Sequence, residues 1–320
     1  MDGCGNELRR RMKRAIGLIV ILTTIGLAAS WWLARPATIP ASELPPRQPN
    51  LANGQLTFNV GGCSSCHATP SRGTSEAERT RLGGGLPLET PFGVFHVPNI
   101  SQDDEDGIGG WSEAQFINAV ARGVSPDGAH YYPAFPYASY AHAKLDDLRD
   151  LYAYMKTLPP VSGQAPDHQL TFPFNIRATI GMWKLLFFSD APIAPDPTKS
   201  EVWNRGAYLA NSLGHCAECH SLRNALGGIV SAQRFAGGPN PEGEGFVPNI
   251  TQKGLSEWSE KDIAYFLETG QMPDGDSTGG SMARVVRNMA LLPASDRSAI
   301  AAYIKSLPPV DGPPRPKKVE

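Results

Sequence analysis

The most continuous hydrophobic pattern in the chain is its first. From Ala15 to Leu33, 19 residues pass without a charge, behind a basic cluster spanning Arg9 to Arg14. As a helix this run reaches ~28 Å, close to the ~30 Å hydrocarbon core of a bilayer. Basic residues ahead of an apolar span place the N-terminus in the cytoplasm and the rest outside. Trp31 and Trp32 close the run where interfacial indoles would sit, which predicts a retained anchor. The competing reading is a signal peptide cleaved at the small residues Ala28-Ala29-Ser30.

Beyond a proline-rich tether the pattern changes to the helical period. Phe116, Ile117 and Val120 follow the N-cap candidate Ser112 in a segment from Trp111 to Ala121. Leu148, Leu151, Tyr152 and Met155 share a face in Leu145–Leu158, which Pro159 stops. Ile300, Tyr303, Ile304 and Leu307 do the same in Ser295–Leu307. No strand alternation stands out, so the pattern predicts an all-α body. In the connector from Gly163 to Ser200, the apolar run around Trp183 to Phe188 is too short for a second span. The connector's aromatics, Phe172-Pro173-Phe174-Asn175-Ile176 and that run, predict a packed strap instead of a free linker.

The pattern also repeats. Val97-Pro98-Asn99-Ile100 returns as Val247-Pro248-Asn249-Ile250, Trp111-Ser112-Glu113 as Trp258-Ser259-Glu260, and Pro126-Asp127-Gly128 as Pro273-Asp274-Gly275. Both halves leave their last helix through Leu-Pro-Pro-Val, at Leu158–Val161 and Leu307–Val310. Tandem duplication accounts for this. The organisation expected is a basic tail and transmembrane helix (1–35), a tether (36–49), a first domain (50–162), the strap (163–199), a second domain (200–312) and a tail (313–320).

Composition changes little in that picture. Hydrophobic residues at 41% and charged residues at 19% suit globular domains, while 33 glycines and 29 prolines suit loop-rich ones. A formal charge of -2 gives no basis for a nucleic-acid partner. The five cysteines change more. Cys4 stands alone and reads as an unpaired thiol on the cytoplasmic side. The other four form Cys63-Ser64-Ser65-Cys66-His67 and Cys216-Ala217-Glu218-Cys219-His220.

In an exported chain, C-x-x-C-H is the attachment pattern of a c-type haem. Two thiols one helical turn apart add to the vinyl groups, and the adjoining histidine reaches the iron. A C-x-x-C alone could be a redox dithiol or half a zinc site. The following histidine, occurring twice in a duplication, points to two covalently bound haems with His67 and His220 as proximal ligands. For the distal side, Met282 follows His220 by 62 residues and precedes the closing helix in what reads as a loop, with Met272 and Met289 as competitors. In the first half the place opposite Met282 is Phe135, which cannot bind iron. His142, His130, Met155 or an open site remain there, His142 being preferred. Trp111 and Trp258 are candidates to pack on the porphyrin or donate to a propionate, with core packing alone as the equal alternative. Asn99 and Asn249 would contact propionates or fix a turn. The runs Gly83-Gly84-Gly85 and Gly237-Gly238 permit close approach to a flat cofactor.

Trp203-Asn204-Arg205-Gly206-Ala207-Tyr208-Leu209 ahead of Gly214-His215-Cys216, the run Tyr132-Pro133-Ala134-Phe135-Pro136-Tyr137, and Phe172-Pro173-Phe174-Asn175-Ile176-Arg177 carry a family resemblance. Over roughly residues 50 to 312 the chain resembles the cytochrome c subunits of membrane-bound bacterial alcohol, gluconate and fructose dehydrogenases. It departs from them in having two C-x-x-C-H units instead of three, and Phe135 where they carry methionine. The resemblance implies two tandem cytochrome c folds in the periplasm, anchored in the inner membrane. It also implies electron transfer from a dehydrogenase toward quinone, a terminal oxidase or another cytochrome, and not catalysis by this chain. The alternative is a dihaem enzyme, peroxidase-like or thiosulfate-oxidising, working at an open or His-ligated first haem.

Overall fold

In a computed structural model, residues 2–70, 75–243 and 245–315 are described. The side chain of Cys4 and the end of the tail lie outside the described residues. Helix α1 (Asp2–Leu33) contains the apolar run, and Arg9–Leu33 is long and apolar enough to cross a membrane. The first half then runs α2 (Leu51–Val60), α3 (Cys63–His67), α4 (Glu76–Arg79), strands β1 (Pro87–Thr90) and β2 (Gly93–His96), α5 (Glu113–Arg122), α6 (Tyr137–Tyr140) and α7 (Leu145–Met155). Strand β3 (Gln169–Leu170) and α8 (Thr179–Phe187) occupy the connector. The second half comprises α9 (Glu201–Asn211), α10 (Cys216–Cys219), β4 (Gly238–Pro239), β5 (Phe246–Val247), α11 (Glu260–Thr269), α12 (Gly280–Met289) and α13 (Ala294–Lys305).

Each half is organised by one crossing of its first and last helices, α2 on α7 and α9 on α13. A glycine makes each crossing possible. A Cβ on Gly54 would lie 2.2 Å from the Asp150 carbonyl oxygen, and one on Gly206 1.9 Å from that of Ala299. The crossings are pinned by charge at matching places. Asp150 of α7 accepts from Arg47 at 2.6 Å and Asn53 at 2.9 Å, and Asp296 of α13 accepts two bonds from Arg205 at 2.9 Å. Leu148, Leu151 and Met155 bury the face that their spacing predicts, each adding about 1.5–3 kcal/mol.

In each half a further helix, α5 or α11, starts at a capping box, Ser112 with Gln115 or Ser259 with Asp262, and ends at a left-handed glycine. The connector touches both halves. Trp183 stacks edge-on against Tyr137 of the first and donates its indole N–H to Leu226 O of the second at 3.0 Å.

The structure departs from the all-α expectation in its loops. β1, β2 and β3 form an antiparallel sheet in that order, and β4 pairs with β5. Strands of two to four residues are too short for alternation to show in sequence. Met282 also differs from its reading as a loop residue, because it lies in α12. The pair Gly279-Gly280 at that helix's start hides its N-terminus from propensity.

Candidate functional site

Cys63 and Cys66 stand one turn apart on α3 with His67 directly after them, and Cys216, Cys219 and His220 repeat this on α10. None of these four cysteines is in a disulfide. Burial pushes the thiols of Cys63 and Cys219 up to about 12 and those of Cys66 and Cys216 up to about 11. They are therefore neutral thiols, the opposite of the lowered thiolate that marks a redox dithiol.

Both histidines are held in one tautomer. His67 Nδ1 lies 2.9 Å from Pro98 O, and His220 Nδ1 lies 2.8 Å from Pro248 O. A carbonyl only accepts, so Nδ1 carries the proton in each and Nε2 keeps its lone pair. Burial lowers His67 to about 4 and lowers His220 too, so each imidazole is neutral at physiological pH. A neutral imidazole with its second nitrogen anchored is an iron ligand in waiting. The residues present thus fit a haem at each site: two thiols, one turn, and a free Nε2.

The repeated motifs build the cradle behind these histidines. Gly84 N–H donates to His67 O and Gly237 N–H to His220 O, both at 2.9 Å. A Cβ at Gly84 would stand 2.4 Å from Pro98 O, and one at Gly237 2.6 Å from Val247 O. The glycine runs thus serve close approach to the Val-Pro-Asn backbone. Asn99 spends its amide on Val161 O at 2.6 Å and Gly163 O at 2.9 Å, and takes Ser101 N–H at 2.8 Å. Asn249 likewise donates to Val310 O at 2.8 Å and accepts from Thr251 N–H at 2.8 Å. In the structure these asparagines fix a turn and tie it to the Pro-Pro-Val exit of each half. Trp111 and Trp258 pack against the core, and neither indole N–H has a protein acceptor among the described residues.

The distal candidates fall in different places. Met282 is partly buried on α12, packed against the core with Val285. His142 Nδ1 lies 2.6 Å from Ala191 O of the connector, which leaves its Nε2 free as in His67. His130 is 8% exposed, and its Nε2 lies 2.9 Å from Ala34 O while Nδ1 has no partner among the described residues. Met155 is 2% exposed in the helix-crossing core. Phe135 packs edge-on to Tyr137 and against Tyr140.

Residues outside the sequence reading join the two sites. The ring of Tyr140 meets His215, beside Cys216, at 5.5 Å, and its hydroxyl donates to Gly61 O at 2.6 Å. Ser139 donates to Glu218, between the second pair of cysteines. Burial opposes the charge of Glu218, but Arg223 and Ser139 outweigh it and hold the group below the usual carboxylate range. Asn288 of α12 is 2% exposed and holds both residues between Cys63 and Cys66. It accepts from Ser64 at 2.9 Å and Arg79 at 2.6 Å, and donates to Ser65 at 2.6 Å.

The family profile described as "Cytochrome c" matches residues 51–159. A protein of Cereibacter sphaeroides named "Diheme cytochrome c-type" is 46% identical over 300 residues, covering 94% of this chain and all of that protein. A subunit of the nicotinate dehydrogenase of Pseudomonas putida is 41% identical over 258 residues, 80% of this chain and 21% of that one. The fructose dehydrogenase cytochrome subunit of Gluconobacter japonicus is 34% identical over 304 residues, 93% of this chain and 60% of that one. The chain thus spans the full length of the first relative and a smaller part of the other two.

Proposed function

Because the chain belongs to the cytochrome c family, we propose that it is a dihaem electron-transfer subunit. It would pass electrons on the periplasmic side, from a dehydrogenase toward quinone, a terminal oxidase or another cytochrome. The observation that carries this reading is the pair of equivalent cradles, each presenting two neutral thiols and an imidazole with Nε2 free. Haem c, bound covalently at Cys63/Cys66 and Cys216/Cys219, supplies one-electron chemistry through its iron. The chain supplies everything else. Pro98 and Pro248 fix the ring planes of His67 and His220, and rigid ligands limit the rearrangement that accompanies a change of charge. Trp111 and Trp258 offer indole donors to the propionates. Relatives named as subunits of fructose, alcohol and gluconate dehydrogenases support the carrier role and a dehydrogenase as donor. The exposed apolar helix α1, closing on Trp31 and Trp32, supports a single-pass anchor in the inner membrane.

A pyridine haemochrome assay on the purified protein is expected to give two haems per chain, resistant to acid–acetone extraction. One haem per chain, or haem that extracts freely, refutes the proposal.

The two haems are inequivalent in this reading. Met282 would hold the second haem together with His220, and His142, its Nδ1 oriented by Ala191 O, would hold the first together with His67. His142→Ala is then expected to convert one haem of two to a high-spin, CO-binding form, read by absorption and electron paramagnetic resonance. A spectrum unchanged by that substitution moves the assignment to His130.

A further inference from the structure

Helix α8 carries an apolar stripe that nothing among the described residues covers. Met182, Leu185 and Leu186 share one face by their i, i+3, i+4 spacing and are 43%, 49% and 67% exposed. Phe172 and Ile176, just ahead of the helix, are 79% and 44% exposed. The other side of α8 is firmly seated. Trp183 is bonded to Leu226 O, and Lys184 Nζ donates to the carbonyls of Arg122 at 2.6 Å and Gly123 at 2.8 Å. The stripe's outward direction is therefore fixed by packing.

Its neighbour identifies what covers it. Gly181 of α8 abuts the exit of α1 so closely that a Cβ there would lie 2.3 Å from Ala34 O, and His130 donates to the same carbonyl. Ala34 follows Trp32 by two residues, and indoles settle at the boundary between lipid and water. A helix docked at that level lies at the bilayer surface. Exposed Arg35 and Arg177 flank it, as suits anionic headgroups.

We propose that α8 and the Phe172–Ile176 turn lie in the outer interface of the bilayer that α1 spans, as a second, surface-lying membrane contact. The proposal rests on the anchor reading above. Together the two contacts would give the haem-bearing body one fixed orientation to the membrane.

The test uses the purified full-length holoprotein in phosphatidylcholine–phosphatidylglycerol vesicles. In a Cys4→Ser background the haem cysteines are consumed as thioethers, so Leu186→Cys, Lys261→Cys and Ile21→Cys each offer one thiol to a membrane-impermeant maleimide. Leu186→Cys is expected to label about tenfold more slowly than the exposed Lys261→Cys, and Ile21→Cys not at all. Equal rates at 186 and 261, with Ile21→Cys unreactive, overturn the α8 contact and leave the anchor standing. A reactive Ile21→Cys overturns the anchor and, with it, the contact. With no other protein in the vesicles, a slow Leu186→Cys cannot come from a different protein covering the stripe.

Discussion

A Gly206→Val variant is expected to lose the packing of α9 on α13 and with it the stability of the second half. Any Cβ at this position would lie 1.9 Å from the Ala299 carbonyl oxygen and 2.9 Å from Tyr303 Cβ. Backbone cannot retreat as a flexible side chain can, so the helices must part. Overpacking costs roughly 1–3 kcal/mol in ordinary cores and more where backbone is the obstacle. About 3 kcal/mol corresponds to a melting temperature lower by on the order of 10 °C, read by circular dichroism of the holoprotein. Gly110→Ala, with no heavy atom closer than 3.9 Å to the added carbon, should melt with the parent. Coincident melts for Gly206→Val and the parent would show that the crossing does not carry the fold.

Met282→Ala is expected to change the redox behaviour of one haem while leaving the haem count at two. Thioether sulfur favours the ferrous state more than a second imidazole does. Its loss should lower one potential in a titration and abolish the weak far-red band of Met–Fe(III) ligation. Met282 is only partly buried, so truncation leaves the helix crossings intact. Two unchanged potentials, or an equal fall in both, would remove Met282 from the iron.

What the sequence disclosed and what it hid divide by distance along the chain. Both C-x-x-C-H units were legible because their chemistry lies within five consecutive residues. α5, α7 and α13 were legible because each buries a face at the helical period. The strands β1 to β5 were not, being too short to alternate, nor was α12, whose start is a glycine pair. The Val-Pro-Asn-Ile repeats were visible as repeats, with a turn or a propionate contact as the two readings of their asparagines. Only the fold shows Pro98 and Pro248 behind the histidines, with Asn99 and Asn249 locking those turns to Val161 and Val310. Asn288 lies 224 residues from Ser64, and no local pattern announces such a pair.

That contact has a consequence for how the two halves depend on each other. Two copies joined end to end would each keep a private interior and melt independently. Here Phe58, Ile117 and Leu148 of one half belong to the same hydrophobic cluster as Leu209, Met289 and Ile300 of the other. Buried Asn288 and partly buried Arg79 add a polar bond across the seam. The two halves share one interior. Cutting the chain within the connector would leave the halves held together by this shared interior. Only pulling the halves apart would show water an apolar face and leave Asn288 without its partners.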